Sequence, residues 1–176
     1  MKRSVMASAL VAIVVVVALS LFLATRNPVT SATEAPSPLL GKVAPALSGE
    51  KLGGGTLNLK SDLGHVVVVT FWASWCGPCQ VEAPELSTFA WQERHRGVDV
   101  VGVVFDDTVS AANAFAAHYG SLYPSVIDNG GVIANRYGVT SPPTTFVLNA
   151  KGVVEVTLLG PVSAKQLRAV VAQVRS

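Results

Sequence analysis

Cysteine is almost missing from this chain: its 176 residues contain two, Cys76 and Cys79. A bridge between them would close a loop of two residues and remove little chain entropy from the unfolded state, so a purely structural staple would contribute little. A structural zinc site normally draws on four nitrogen or sulfur ligands. The only further candidates, His65, His95 and His118, lie at no ligand spacing, so no metal is expected.

An excess of charge is lacking as well. Residues 39–176 hold ten Lys/Arg and ten Asp/Glu, so the net charge of +2 arises from the N-terminal end. No basic groove for a nucleic acid follows from that balance. There is no phosphate loop, no internal repeat, and no arginine near the cysteines to polarise a peroxide.

Charge is also missing from residues 5–24, a run of twenty after Lys2 and Arg3. As a helix rising 1.5 Å per residue it reaches about 30 Å, enough to cross a bilayer core. Residues 1–24 are therefore read as a signal-anchor or transmembrane segment. Positive charge ahead of the span places the N-terminus in the cytoplasm and the remainder outside a bacterial cell membrane, where disulfides persist. Secretion after signal cleavage is the competing reading, although a signal peptide normally has a shorter apolar core of about 7–15 residues. No cysteine stands directly after the span, which excludes an acylated lipoprotein. Residues 25–38, with three prolines, read as a flexible or partly extended tether, and residues 39–176 as one domain.

What the domain does contain is Trp75-Cys76-Gly77-Pro78-Cys79, placed where the β-branched run 66–70 gives way to a helical pattern. Two thiols one turn apart at a helix N-terminus make a reversible two-electron couple. Pro78 suits the first helical turn, which puts Cys76 at the cap, facing unpaired backbone N–H groups that favour thiolate. Cys76 is thus the expected nucleophile. Cys79 lies on the side continued by Ala83 and Leu86, faces inward, and is the expected resolving thiol.

The remaining pattern is α/β. A hairpin spans 47–59 around three glycines, a buried strand runs 66–72, and a helix from 78 to about 96 should bend near Pro84. A strand at 98–105, a helix at 108–119, a short strand at 125–127 and a helix at 131–137 follow. A hairpin of strands 144–148 and 153–159 precedes a last helix opened by a Ser163/Gln166 capping box. Strand, helix and strand in the first half imply a parallel crossover. The dithiol then sits at the carboxyl end of a central strand, where open α/β sheets place their ligand sites.

Phe71-Trp72-Ala73-Ser74-Trp75-Cys76-Gly77-Pro78-Cys79 with Pro84, together with Tyr137-Gly138-Val139-Thr140-Ser141-Pro142-Pro143-Thr144-Thr145-Phe146-Val147-Leu148, resembles the thioredoxin superfamily. Gly41-Lys42-Val43-Ala44-Pro45, Glu82 and Val101-Gly102-Val103-Val104 are similar to the membrane-anchored TlpA/ResA/CcmG (DsbE)-type thiol-disulfide oxidoreductases. One departure is Thr70, where thioredoxin carries a buried aspartate. The resemblance implies a thioredoxin-like fold with a central mixed sheet, an N-terminal hairpin and a central insertion. It also makes Pro143 cis, packs it against the cysteines, and sets the backbone of Thr144 or Pro142 to pair with an extended substrate segment. Trp75, Gly77 and Pro78 would complete the substrate surface, while Trp72 turns to the other side of its strand.

Glu82, three residues beyond Cys79, shares roughly its helix face. Partly buried, it would exchange protons with Cys79; the competing reading is a solvated carboxylate favoured by the helix dipole. The resemblance further implies reduction of protein cysteine pairs, apocytochrome c foremost, with electrons from a membrane donor of the CcdA or DsbD kind and no cofactor beyond the Cys76–Cys79 disulfide. Two other functions stay open on the residues: a disulfide-forming oxidase for secreted proteins, and copper delivery through a thioredoxin-like fold.

Overall fold

A computed structural model describes residues 12–20, 31–59 and 64–175. Seven-residue β4, Val66–Trp72, is buried along its whole length, as expected of a strand without polar alternation. It pairs in parallel with β5, Val98–Val104, and antiparallel with β7, Thr144–Leu148. Around this centre a six-stranded sheet runs in the order β1-β8-β7-β4-β5-β6, with β1 at Thr33–Glu34, β6 at Ser125–Ile127 and β8 at Val154–Leu159. The hairpin β2, Ser48–Glu50, and β3, Thr56–Asn58, forms its own two-stranded sheet and meets β6 through a bridge from Lys51 to Val126.

The period-two geometry of β4 divides the core. Val66 and Val68 pack with Leu86, Phe89, Leu158 and Leu167, beneath helices α1, Gly77–Glu93, and α4, Ala164–Arg175. Val67, Val69 and Phe71 face the other way, against Phe146, Leu148, Tyr137 and Leu47. Tyr137 ends α3, Val132–Tyr137, and its hydroxyl donates to the Pro45 carbonyl at 3.0 Å. Helix α2, Val109–Tyr119, is capped by Thr108, whose hydroxyl accepts from the Ala111 N–H at 3.2 Å.

Three local expectations are modified. Helix α1 ends at Glu93, short of the expected Arg96, and runs through Pro84 as one helix of 17 residues, although the ring deprives the Gln80 carbonyl of its usual donor. The capping box at α4 is half formed. Ser163 Oγ accepts from the Gln166 N–H at 3.1 Å, but the Gln166 amide donates instead to the Ala32 carbonyl at 2.7 Å.

That bond belongs to the third change. The described part of the 25–38 tether is docked: Thr33 and Glu34 pair with Leu159 and Leu158, the Ala35 N–H donates to Thr157 O at 3.0 Å, and Ala32 is buried. Strand β8 would otherwise present an open edge, and this segment covers it. Residues 25–30 lie outside the described residues. Of the expected membrane span, residues 12–20 are helical and the rest also lies outside; among the described residues no helix is long and apolar enough to cross a membrane.

Candidate active site

The dithiol occupies the junction of β4 and α1, at the carboxyl end of the central strand, with Cys76 just before the helix and Cys79 in its first turn. Ala73 O accepts from the Cys76 N–H at 3.2 Å, closing the turn, and Cys76 caps the helix with extended backbone (φ −83°, ψ 107°). Its Sγ accepts from the Cys79 N–H at 3.1 Å. The two cysteines form a disulfide of 2.04 Å with Cα atoms 5.2 Å apart. An acceptor sulfur at a helix N-terminus is the arrangement that stabilises a thiolate once the bond is reduced.

Neither cysteine is openly exposed. Only 4% of Cys76 and 1% of Cys79 is accessible, because both join a small core with Trp72, Ala73, Ala83, Val104 and Phe115. Trp75 beside them is 57% exposed, and its indole N–H donates to the Asp106 carbonyl at 2.9 Å. Trp72 is interior: it stacks on Phe115 at 4.9 Å and donates to Ser125 Oγ at 3.1 Å. Gly102 lies beneath that contact. A Cβ there would stand 2.6 Å from the Trp72 indole nitrogen and 2.2 Å from Ser125 Oγ.

Glu82 is 1% exposed, so a solvated carboxylate is ruled out. Cys79, Glu82, Ala83 and Leu86 share the buried face of α1. Glu82 Oε1 accepts from the Val162 N–H at 3.0 Å, while Oε2 has no hydrogen-bond partner among the described residues. Loss of hydration raises the carboxyl pKa from 4.5 to about 8, with the Val162 bond opposing in part. Burial pushes the Tyr123 phenol upward, and the nearby Glu82 charge adds to that shift. At the departure from thioredoxin, Thr70 is fully buried and its hydroxyl accepts from Thr145 at 3.1 Å. A neutral pair stands where a second acid was missing.

The Pro142–Pro143 peptide bond is cis. Pro143 is buried, Pro142 half-buried, and both line one cleft with Pro78 from the cysteine turn. Thr144 is less available than expected. It lies in register with Phe71 on one side and Leu159 on the other, its hydroxyl donates to Ser141 O at 2.8 Å, and it is 4% exposed. Of the two positions expected to pair with substrate, Pro142 is the one outside the strand ladders, and having no N–H it offers only an acceptor.

Sequence reasoning missed the acidic loop after β5. Asp107 Oδ2 accepts from the Ser74 N–H at 2.6 Å and Oδ1 from the Thr108 N–H at 2.7 Å. Asp106 has φ 42°, unusual for a residue other than glycine. The two adjacent acids before Thr108 were visible, but nothing local connected them to Ser74. Glu85 was also missed; its Oε2 accepts from the Ala164 N–H at 2.8 Å and helps Glu82 hold the 162–164 segment. Among the described residues no group of three or more His, Cys, Asp or Glu is placed to hold a metal ion.

Residues 40–157 match the AhpC/TSA family. The thiol-disulfide oxidoreductase ResA of Bacillus anthracis is 33% identical over 128 residues, which cover 73% of this chain and 74% of that protein. The thiol:disulfide interchange protein HelX of Rhodobacter capsulatus is 37% identical over 131 residues, covering 73% and 72%. A thioredoxin-family thiol:disulfide interchange protein from Chlorobium tepidum superposes with a TM-score of 0.71 at 24% identity, covering 81% of this chain and all of that one, which establishes the thioredoxin-like fold. With its capped dithiol, cis-proline loop and mixed sheet, the chain belongs to the AhpC/TSA family and is a thiol-disulfide oxidoreductase of the ResA/DsbE type.

Proposed function

We propose that the chain reduces disulfides in exported proteins, apocytochrome c foremost, with its domain outside a bacterial membrane to which residues 1–24 anchor it. The observation that carries the chemistry is the buried Glu82 carboxyl, raised to about 8, on the same helix face as Cys79. A carboxyl poised near neutral pH accepts and returns a proton efficiently.

In the reduced enzyme, the Cys76 thiolate attacks one sulfur of a substrate disulfide. That bond breaks, the other substrate sulfur leaves as a thiolate and takes up a proton, and a mixed disulfide joins Cys76 to the substrate. The ionised fraction of Glu82 takes the Cys79 proton. Cys79 thiolate then attacks the Cys76 sulfur, the second substrate sulfur leaves as a thiolate and takes that proton back from Glu82, and the Cys76–Cys79 bond is restored. Two electrons have passed from the enzyme dithiol to the substrate. Trp75 with Gly77 and Pro78 forms the contact surface beside the sulfurs, and the Pro142 carbonyl accepts a backbone N–H from the substrate.

Each turnover leaves the enzyme oxidised, so a membrane donor of the CcdA or DsbD kind must return two electrons to the dithiol. The apocytochrome c assignment is supported by resemblance to ResA and CcmG-type enzymes. The test is the redox state of Cys76/Cys79 in cells, read by thiol alkylation with and without the donor. A largely reduced pool that becomes oxidised when the donor is removed is expected. A pool that stays oxidised with the donor present overturns the reductase reading and favours the oxidase.

A further inference from the structure

Prolines are concentrated in one place. Pro36, Pro38, Pro78, Pro142, Pro143 and Pro161 all line a single cleft of about 420 Å³. Its inner wall is Pro78, next to the cysteines, and the cis-proline loop. Its apolar lining includes Tyr137 and Phe146, whose rings meet at 5.2 Å. Its outer wall is residues 35–38, from the stretch whose composition reads as a tether.

This wall is built into the domain. It leaves the sheet at β1, is fixed by the Ala35 N–H on Thr157 O at 3.0 Å, and turns at Ser37, whose Oγ accepts from the Leu39 N–H at 3.2 Å and whose carbonyl accepts from the Leu40 N–H at 3.1 Å. Behind it, the Ala32 carbonyl is held by the Gln166 side chain. Two chemical features define what fits between the walls. None of the described residues lining the cleft carries a charge, so a charged side chain entering would lose hydration without a counter-charge. Proline also contributes carbonyl acceptors without N–H donors, so the complementary surface is one that brings donors, as an extended backbone does.

We propose that residues 35–38 are a specificity element: they close the outer side of a groove that takes an extended, uncharged segment flanking the substrate's reactive cysteine. The inference rests on the thiol-disulfide exchange reading, and adds that the covalent continuation of the N-terminal segment selects the substrate. Continuity fixes the occupant as the substrate's own chain, because Pro78 belongs both to the cysteine turn and to the groove.

The experiment uses the reduced full chain and short peptides whose single cysteine carries a thionitrobenzoate leaving group, flanked by Leu, Lys or Asp. Attack by Cys76 releases the chromophore and forms the Cys76–peptide disulfide, which Cys79 resolves. Leu-flanked peptide should react about tenfold faster than either charged one. Pro36→Glu should reorder the charged pair in favour of Lys, and Pro36→Lys in favour of Asp, each measured as a ratio within one variant. Equal rates for all three flanks, or no reordering in either variant, overturns the proposal. Reaction of the unaltered chain with dithiobisnitrobenzoate separates the two levels: activity there without flank selectivity refutes only the groove, whereas inertness refutes exchange itself.

Discussion

Asp107 holds Ser74 across 33 residues of sequence: one carboxylate oxygen accepts the Ser74 N–H at 2.6 Å, and the other accepts the Thr108 N–H at 2.7 Å. The nucleophile turn is thereby tied to the start of the insertion helix. Asp107→Ala removes a charge-assisted acceptor from two backbone donors and should cost about 1–2 kcal/mol, the lower end because both bonds are partly solvated. Asp107→Asn, which keeps one acceptor, should recover part of the loss. Urea unfolding of both variants measures this; an unchanged midpoint for Asp107→Ala would show that the bond contributes nothing net.

Glu82 sets a pH dependence of stability whose direction follows from its burial. Its carboxyl holds a proton up to about pH 8 when folded, against an ordinary 4.5. Between those values the native state binds more protons than the unfolded one, so stability falls as pH rises. The steepest contribution is about 1.4 kcal/mol per pH unit, absent below 4.5 and complete above 8. Glu82→Gln should flatten that window while keeping the Val162 contact. It should also shift the alkaline dependence of Cys79 alkylation. If neither profile changes, the proton-transfer role is lost.

Gly102 has no room for a side chain. Alanine would bring its Cβ within 2.2 Å of Ser125 Oγ and 2.6 Å of the Trp72 nitrogen, so Gly102→Ala should destabilise by about 1–3 kcal/mol through overpacking. Ser125→Ala opens space but strands the buried Trp72 N–H, at a similar expected cost of about 1–3 kcal/mol. Combining the two removes the contact with Ser125 Oγ and leaves the 2.6 Å approach to the Trp72 nitrogen, so their effects should sum to less than additive in a denaturation cycle.

The two sulfurs should behave unequally in trapping. Cys79→Ser should accumulate mixed disulfides through Cys76 with partner proteins, visible as thiol-sensitive bands on non-reducing gels. Cys76→Ser should accumulate few or none, since Cys79 lies within α1 on its buried face and does not hold the cap position. Equal trapping by both variants would remove the assignment of nucleophile and resolving thiol.

Strand and helix positions were legible wherever a local pattern decided them. The buried run of β4, the three-glycine hairpin and the Ser163 hydroxyl all match what side-chain periodicity and capping chemistry require. The pairing of Gln166 with Ala32 was not legible, because it competes with a local bond and is decided by a segment 134 residues away. The docking of Thr33 and Glu34 was hidden for a related reason: composition describes how stiff a segment is, and says nothing of an open sheet edge waiting beside it.

The sequence alone determined the chemistry. Two cysteines separated by Gly77-Pro78, at the junction of a β-branched strand and a helix, specify a capped, helix-terminal dithiol, because N-terminal backbone donors and the spacing of one turn act locally. Tertiary packing decided how that chemistry is tuned and approached. Burial of Glu82 depends on the 162–164 segment crossing α1, the support of Ser74 on a carboxylate from the far side of β5, and the proline-lined groove on a strand that precedes the whole domain. Each is a meeting of distant residues whose free energy comes from desolvation and contact, and neither quantity exists until the chain has folded.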